Sequence, residues 1–246
     1  MPVSRRYRKL NGMNRGVGPP ETPEFRWKPG SAARRAAEIM RSEGARALWF
    51  RILGETVYRR MVLFERRLEE PIQAARCAAA VTISRLEIAE ADEYAAFRPG
   101  ADVAETRSRL EQGHQCWVAR QQGALVHAIW AGTGSAWIRY LDCEMRLAPD
   151  EAYIYESYTT PALRRLNLNG VRSEAMKRYF RERSFFRLLA LVVPENPAGI
   201  HATIGAGYHY AGVIARVTIG PWRRDYRRLA SGVRPVILSP RSPAQP

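Results

Sequence analysis

The stretch Ala152-Tyr153-Ile154-Tyr155-Glu156-Ser157-Tyr158-Thr159, followed by Pro161-Ala162-Leu163-Arg164-Arg165-Leu166-Asn167-Leu168-Asn169-Gly170, decides how this chain is read. Its first part is rich in Tyr and Thr, which suit a pleated, half-buried strand. Its second part is a basic turn, and the pattern predicts a helix over residues 168–183. A turn entering a helix presents unpaired backbone N–H groups and the positive end of the helix dipole to an anion. Gly, and at some steric cost Asn, supplies the left-handed backbone such a nest requires. Asn167, Asn169 and Gly170 meet that need, and Arg164 and Arg165 add charge-assisted donors for phosphate. The same residues also read as a solvated basic loop, and the turn alone does not separate the two.

Downstream, residues 186–193 form a nearly unbroken apolar run, as expected of a central strand. Residues 196–206 read as a short helix and 208–219 as a long strand. The tail after Gly220 is basic and rich in Pro and Ser, with order expected only near Trp222. Upstream, 81–88 reads as a strand, and 89–97 and 102–112 as short helices. Residues 116–120 and 125–130 are β-prone runs joined by Gln121-Gln122-Gly123, a hairpin signature. Residues 136–147 are expected as one strand, with Trp137, Arg139, Leu141, Cys143 and Met145 on one face. Strand, two helices, antiparallel strands, then strand–helix–strand–helix–strand indicates an α/β sheet of mixed direction.

The N-terminal third has a different character. Residues 1–30 mix Gly and Pro with basic side chains and read as a flexible arm. Ser31 is a candidate cap for a helix to about Arg41. Leu48, Trp49, Ile52, Val57, Met61, Phe64 and Leu68 fall near helical spacing, which predicts a helix over 45–69 ending before Pro71. Its arginines leave two readings open: packing on a neighbouring domain, or lying in a membrane interface.

The net charge of +15 belongs to the two ends. Residues 1–80 hold 17 Lys and Arg against 8 Asp and Glu, and residues 220–246 hold 6 against 1, whereas the middle holds 16 against 15. Basic ends suit an anionic surface or partner, or solubility alone. A weak membrane-surface or anionic partner is expected through residues 1–70, with no strong nucleic-acid signal. Cys77, Cys116 and Cys143 are far apart and form no CxxC pair, so they are expected as core thiols in a reducing compartment. No apolar run approaches the roughly 20 residues that span a bilayer, and no apolar segment follows the basic N-terminus as in a signal peptide. The expectation is a cytoplasmic protein, peripheral at the inner membrane face if its ends bind there. His114, His127, His201 and His209 show no metal-ligand spacing.

Taken together, Pro161 and Arg164 in the turn, the apolar run 186–193, Asn196 and the pair Gly207-Tyr208 resemble the GNAT acetyltransferase superfamily. That family has a strand, a Pro-x-x-Arg-Gly-x-Gly-x-Gly-type turn, a helix, an apolar strand, an Asn, a helix and a Gly-Phe or Gly-Tyr pair, in that order. The hairpin carrying Trp117-Val118-Ala119-Arg120, Gly123 and Ala128-Ile129-Trp130 also fits. The resemblance covers about residues 81–220, as of a divergent bacterial member, and rests on order and spacing more than identity. Asn167 and Asn169 depart from the family's glycines, and Thr203 stands where a Tyr is frequent.

The resemblance implies a mixed, mostly antiparallel central sheet flanked by helices, over residues 77–220. A helical extension over 31–76 would precede it, and a tail over 221–246 would follow. It also implies an N-acetyltransferase using acetyl-CoA as co-substrate, which transfers an acetyl or short acyl group to the amine of a small molecule such as an amino sugar. Residues 154–159, including Tyr158 and Thr159, would pair with the pantetheine arm. Arg164, Arg165, Leu166, Asn167, Leu168, Asn169 and Gly170 would hold the pyrophosphate, and Asn196 would contact the arm again. Glu156 is the candidate base, with an ion pair to a nearby Arg as the alternative. Tyr208, or Tyr210, is the candidate acid. A non-catalytic binding or regulatory module of the same fold, associated with membrane or nucleic acid through its basic ends, is the other reading.

Overall fold

The computed structural model describes residues 57–164 and 166–239. Its elements are β1 (Tyr58–Arg67), β2 (Thr82–Arg85), α1 (Ala91–Phe97), α2 (Val103–Glu111), β3 (Gln115–Gln121), β4 (Ala124–Thr133), β5 (Ser135–Ile138), β6 (Cys143–Arg146), β7 (Glu151–Thr159), α3 (Leu168–Glu182), β8 (Arg187–Val192), α4 (Pro197–Gly205), β9 (His209–Ile219), β10 (Trp222–Leu229) and β11 (Ile237–Ser239). The described residues fall into two compact units, 62–212 with 229–239, and 57–61 with 213–228. The flexible arm and residues 31–56 of the helical extension lie outside the described residues, as does Arg165.

The larger unit is built on strands in the order β1-β8-β7-β4-β3-β2. All of its neighbours pair antiparallel except β7 with β8, which run parallel. This is the mixed, mostly antiparallel sheet expected, with helices between its strands. The β3–β4 hairpin closes where Gln122 and Gly123 take φ of +51° and +85°, the left-handed pair that matches strand twist in a two-residue turn. The period of two then divides β3 between two cores. Cys116 and Val118 pack with Leu86, Tyr94 and Trp130, whereas Ala119 packs with Val126 and Leu168 at the start of α3. In the first core, Trp130 donates its indole N–H to the Tyr94 hydroxyl at 2.8 Å, and the rings meet edge to face. That arrangement satisfies the polar atoms of two large buried side chains.

Three sequence expectations are corrected. The helix expected through residue 69 is, over 58–67, the strand β1, paired antiparallel with β8 from Val62–Val192 to Arg67–Arg187. Residues 61–66 are all buried, so both faces carry large side chains and the apolar positions no longer distinguish a strand from a helix. The single strand expected over 136–147 is the hairpin β5–β6, which turns where Asp142 takes φ +52°. Leu141, Cys143 and Met145 remain on the buried side, but Trp137 is half-buried and Arg139 exposed. The tail beyond Gly220 forms β10 in the smaller unit, and in the larger unit β11, which pairs with β6.

In the smaller unit, Thr218 donates its amide to the Val57 carbonyl at 2.8 Å, and Arg216 holds Asp225 through bonds of 2.7 and 2.9 Å. No helix among the described residues is long and apolar enough to cross a membrane.

Candidate functional site

The parallel ladder between β7 and β8 runs from Glu151–Arg187 to Ile154–Ala190 and ends there. Strand β7 nevertheless continues to Thr159, held on its other side by β4. Beyond Ile154 the two parallel strands therefore part, and β7 residues 155–159 have no ladder on the side of β8. Unpaired strand backbone is a template for an extended, amide-bearing ligand.

A bulge lies at the point of parting. Trp130 stands opposite Tyr155 and Ala128 opposite Tyr158, so Glu156 and Ser157 share Ile129 as partner. Glu156 takes φ +50°, an unusual conformation for a side chain of its size and one that clusters at functional sites. Bulges bend a strand and re-aim its groups, so this one accounts for the parting.

Two groups of residues line this region. On one side, α2 sends Arg109 across the rings of Trp130 and Tyr155, 5.3 and 5.7 Å from their centres. Arg109 donates to both oxygens of Glu156, at 2.8 and 3.1 Å. Burial alone would raise the Glu156 pKa, but Arg109 outweighs it and holds the carboxyl below its ordinary range. The ion pair that the sequence left as the alternative role of Glu156 is thus present. Next to it, the Tyr155 hydroxyl meets His114 Nδ1 at 2.6 Å, and burial pushes its pKa far up.

On the other side is the turn into α3. Asn167 takes φ +61°, the left-handed conformation expected for a nest, and its side chain caps no amide of the helix. Its Nδ2 donates instead to the Arg76 carbonyl at 2.9 Å. A Cβ on Gly170 would lie 2.4 Å from Asn167 Oδ1, so a larger residue there would displace the Asn167 side chain. Residues 76–78 pin the turn from outside: the Leu166 carbonyl accepts from Cys77 Sγ at 2.9 Å and from the Ala78 amide at 3.4 Å. With no side chain capping it, the start of α3 retains its capacity for an anion.

The remaining expected residues are distributed as follows. Tyr158 lies edge to face with Phe97 and under Arg98. Thr159 Oγ1 meets His127 Nδ1 at 2.7 Å. His127 Nε2 accepts from Arg172 at 3.3 Å, which places the imidazole proton on Nδ1. Burial, with Arg172, pushes the His127 pKa down to about 3, so the ring is neutral. Arg164 is exposed, Leu166 half-buried and Leu168 buried in the core. Asn169 Oδ1 accepts from Arg172. The Asn196 side chain accepts the Gly199 amide at 2.9 Å and caps α4, so that oxygen is already engaged. Tyr208 is buried, its hydroxyl has no partner, and burial drives its pKa far up. No contact joins it to Glu156. Thr203 bonds back to the Gly199 carbonyl within its helix at 2.8 Å.

The side-chain roles of Arg109, Tyr155, His114 and Arg172 at this site are not signalled by the sequence. Their roles depend on which element covers which face of the sheet, and no local spacing signals that. Among the described residues no group of His, Cys, Asp and Glu could hold a metal ion.

No protein-family model matches the chain, and no curated protein is similar to it in sequence. Solved structures similar to it include an acetyltransferase of the GNAT family from Streptococcus pneumoniae, 12% identical with a TM-score of 0.44, covering 61% of this chain and 99% of that one. Another is the aminoglycoside acetyltransferase AAC(6')-Iy in complex with a bisubstrate analogue of CoA, 13% identical with a TM-score of 0.44, covering 53% and 92%. A third is a Drosophila protein, 15% identical with a TM-score of 0.47, covering 72% of this chain and 56% of that one.

Proposed function

We propose that this chain is an acyl-CoA-dependent N-acyltransferase that acts on the amine of a small molecule. The observation that carries this reading is the parting of β7 from β8 at Ile154 and Ala190, beside an uncapped helix start. Acetyl-CoA is an extended amide-bearing arm joined to a pyrophosphate, and the two features fit those two parts. The free edge of residues 155–159 would pair with the arm, and the amides at the start of α3 would take the pyrophosphate. Bound there, acetyl-CoA supplies an activated acyl group for attack by an amine.

The chain's own contribution is placement and charge. Backbone N–H groups at the Glu156–Ser157 bulge are suited to stabilise negative charge developing on an acyl oxygen. Glu156 is ionised at neutral pH, and in a site it shares with Arg109 it attracts and orients the ammonium form of the acceptor. As a carboxylate below its ordinary range it is a weak base, so the amine's proton passes to it only transiently on the way to water. The Tyr208 phenol, buried without a partner and with its pKa driven far up, is a poor acid with no contact to Glu156, so the departing thiolate takes its proton from water. An amino sugar is the expected acceptor class.

A second reading, a binding module without turnover, is favoured by the engagement of Glu156 with Arg109 and of the Asn196 oxygen with α4. The experiment is calorimetric titration of the full chain with acetyl-CoA, beside ATP, followed by assay of free CoA thiol released in the presence of amines. Saturable binding with turnover that falls in Glu156→Gln supports the enzyme. Saturable binding without turnover supports the module, and a folded protein that binds no CoA species contradicts both.

A further inference from the structure

Three cations lie buried near one another in the larger unit. Arg66 is 7% exposed, Arg172 2% and Lys177 8%. They interact: Arg66 and Arg172 both repel the Lys177 charge, which helps burial lower its pKa to about 8. Three buried like charges are costly unless each is paired.

The pairing is incomplete. Glu70 bonds Arg66 and is shared with His209, 3.2 Å away. Lys177 donates to a neutral acceptor, the Ala206 carbonyl. Arg172 donates to His127, Met176 Sδ and Asn169 Oδ1, none of them anionic. Glu174, which also acts on Lys177, is held by Arg178 at 2.8 Å and by the Ala75 amide at 2.6 Å. The cluster therefore carries an excess of positive charge.

Unsatisfied hydrogen bonds occur in the same region. Arg66 Nε, Ser173 Oγ and Tyr208 OH are buried without a partner. Ser173 and Lys177 are one turn apart on α3, and Tyr208 is electrostatically coupled to both Arg66 and Arg172. All three groups can donate, and Lys177 has donors beyond the one bonded to Ala206. A set of donors with excess positive charge matches a ligand that only accepts. Arg66 and Lys177 converge at Gly207: Arg66 Cζ and Nη1 and Lys177 Nζ each lie 3.8 Å from the position a Cβ would take there, and the two side chains donate to the Gly207 and Ala206 carbonyls.

We propose that Arg66, Lys177, Ser173 and Tyr208, around Gly207, form an interior binding site for one small oxyanion, a phosphate or a carboxylate. The anion ties α3 to the end of β1 and the start of β9. It also offsets the positive charge beneath the helix whose N-terminus forms the candidate pyrophosphate nest. The site stands on its own residues and does not depend on the proposed transfer reaction.

The test is thermal unfolding of the full chain in phosphate, acetate and chloride at matched ionic strength. Lys177→Met removes one cation at similar length. Ser173→Ala removes a hydroxyl that makes no bond in the fold, so it reports even if the first variant does not fold. The expected result is a saturable rise in Tm with phosphate or acetate over chloride. The half-effect concentration should be about tenfold higher in either variant, as loss of a charged or buried hydrogen bond implies. The two oxyanion arms identify the class. A further arm with CoA in place of phosphate identifies the source: a Lys177-dependent shift assigns the phosphoryl group of a nucleotide ligand, and its absence assigns a free anion. Equal Tm in all three salts, or a response unchanged in both variants, overturns the site.

Discussion

Arg109 holds Glu156 by both carboxylate oxygens, at 2.8 and 3.1 Å, where Glu156 sits at φ +50° in the bulge of β7. The pair joins α2 to the strand whose free edge forms the candidate site. It fixes the charge state of Glu156 and helps hold the bulge in its strained conformation, while Glu105 bonds the same guanidinium at 2.5 Å.

A dependence on pH follows. The Glu156 pKa is depressed in the fold relative to the roughly 4.3 of a free Glu. The ionised form therefore stabilises the protein above that value, and the contribution is lost as pH falls through the folded-state pKa. Glu156→Gln lacks this term. In urea titrations the wild-type advantage over Glu156→Gln is expected to be present at pH 7 and to fade below about pH 4. A gap that stays constant from pH 7 to pH 3 would show that the pair adds nothing that depends on ionisation.

Asn196 is expected to act through α4. Its side chain caps the helix at the Gly199 amide, and loss of such a cap costs about 1 kcal/mol. Asn196→Ala should lower unfolding stability by that amount, whereas Asn196→Asp, which also accepts from the amide, should retain it. Equal losses in the two variants would argue against the cap.

Arg187 is fully buried and bonds Glu65 at 2.8 Å and Glu151 at 2.9 Å. Those carboxylates lie on β1 and β7, on either side of β8. Arg187→Met keeps the bulk but leaves both acids buried without their main partner, a change worth about 3–5 kcal/mol. A chemical-denaturation loss below 1 kcal/mol would mean that Arg67 and Arg234, which also reach these acids, suffice.

Elements whose signal is local were legible in the sequence. The β3–β4 hairpin follows from Gln122-Gly123, the helical runs over 89–97 and 102–112 appear as α1 and α2, and the turn before α3 follows from an Asn able to adopt left-handed backbone. Strand β1 was not legible, because Met61 through Arg66 are buried on both faces and their apolar spacing mimics a helix. The β5–β6 turn was hidden because it lacks Gly, Asp142 alone taking positive φ. At the candidate site, the sequence placed Glu156, Tyr158 and Thr159 on one strand and Asn167 at a helix start. It could not show that α2 brings Arg109 to Glu156, or that His127 and Arg172 meet beneath α3. Those contacts are set by packing between distant segments, and residue spacing carries no record of them.

Hydrogen exchange of the full chain with and without acetyl-CoA tests the central claim most directly. If the parted edge of β7 and the start of α3 hold the arm and the pyrophosphate, amides of residues 155–159 and 167–171 should be protected by acetyl-CoA and by free CoA, and not by ATP. Unchanged exchange at both segments under saturating acetyl-CoA, or protection confined to other elements, would contradict it.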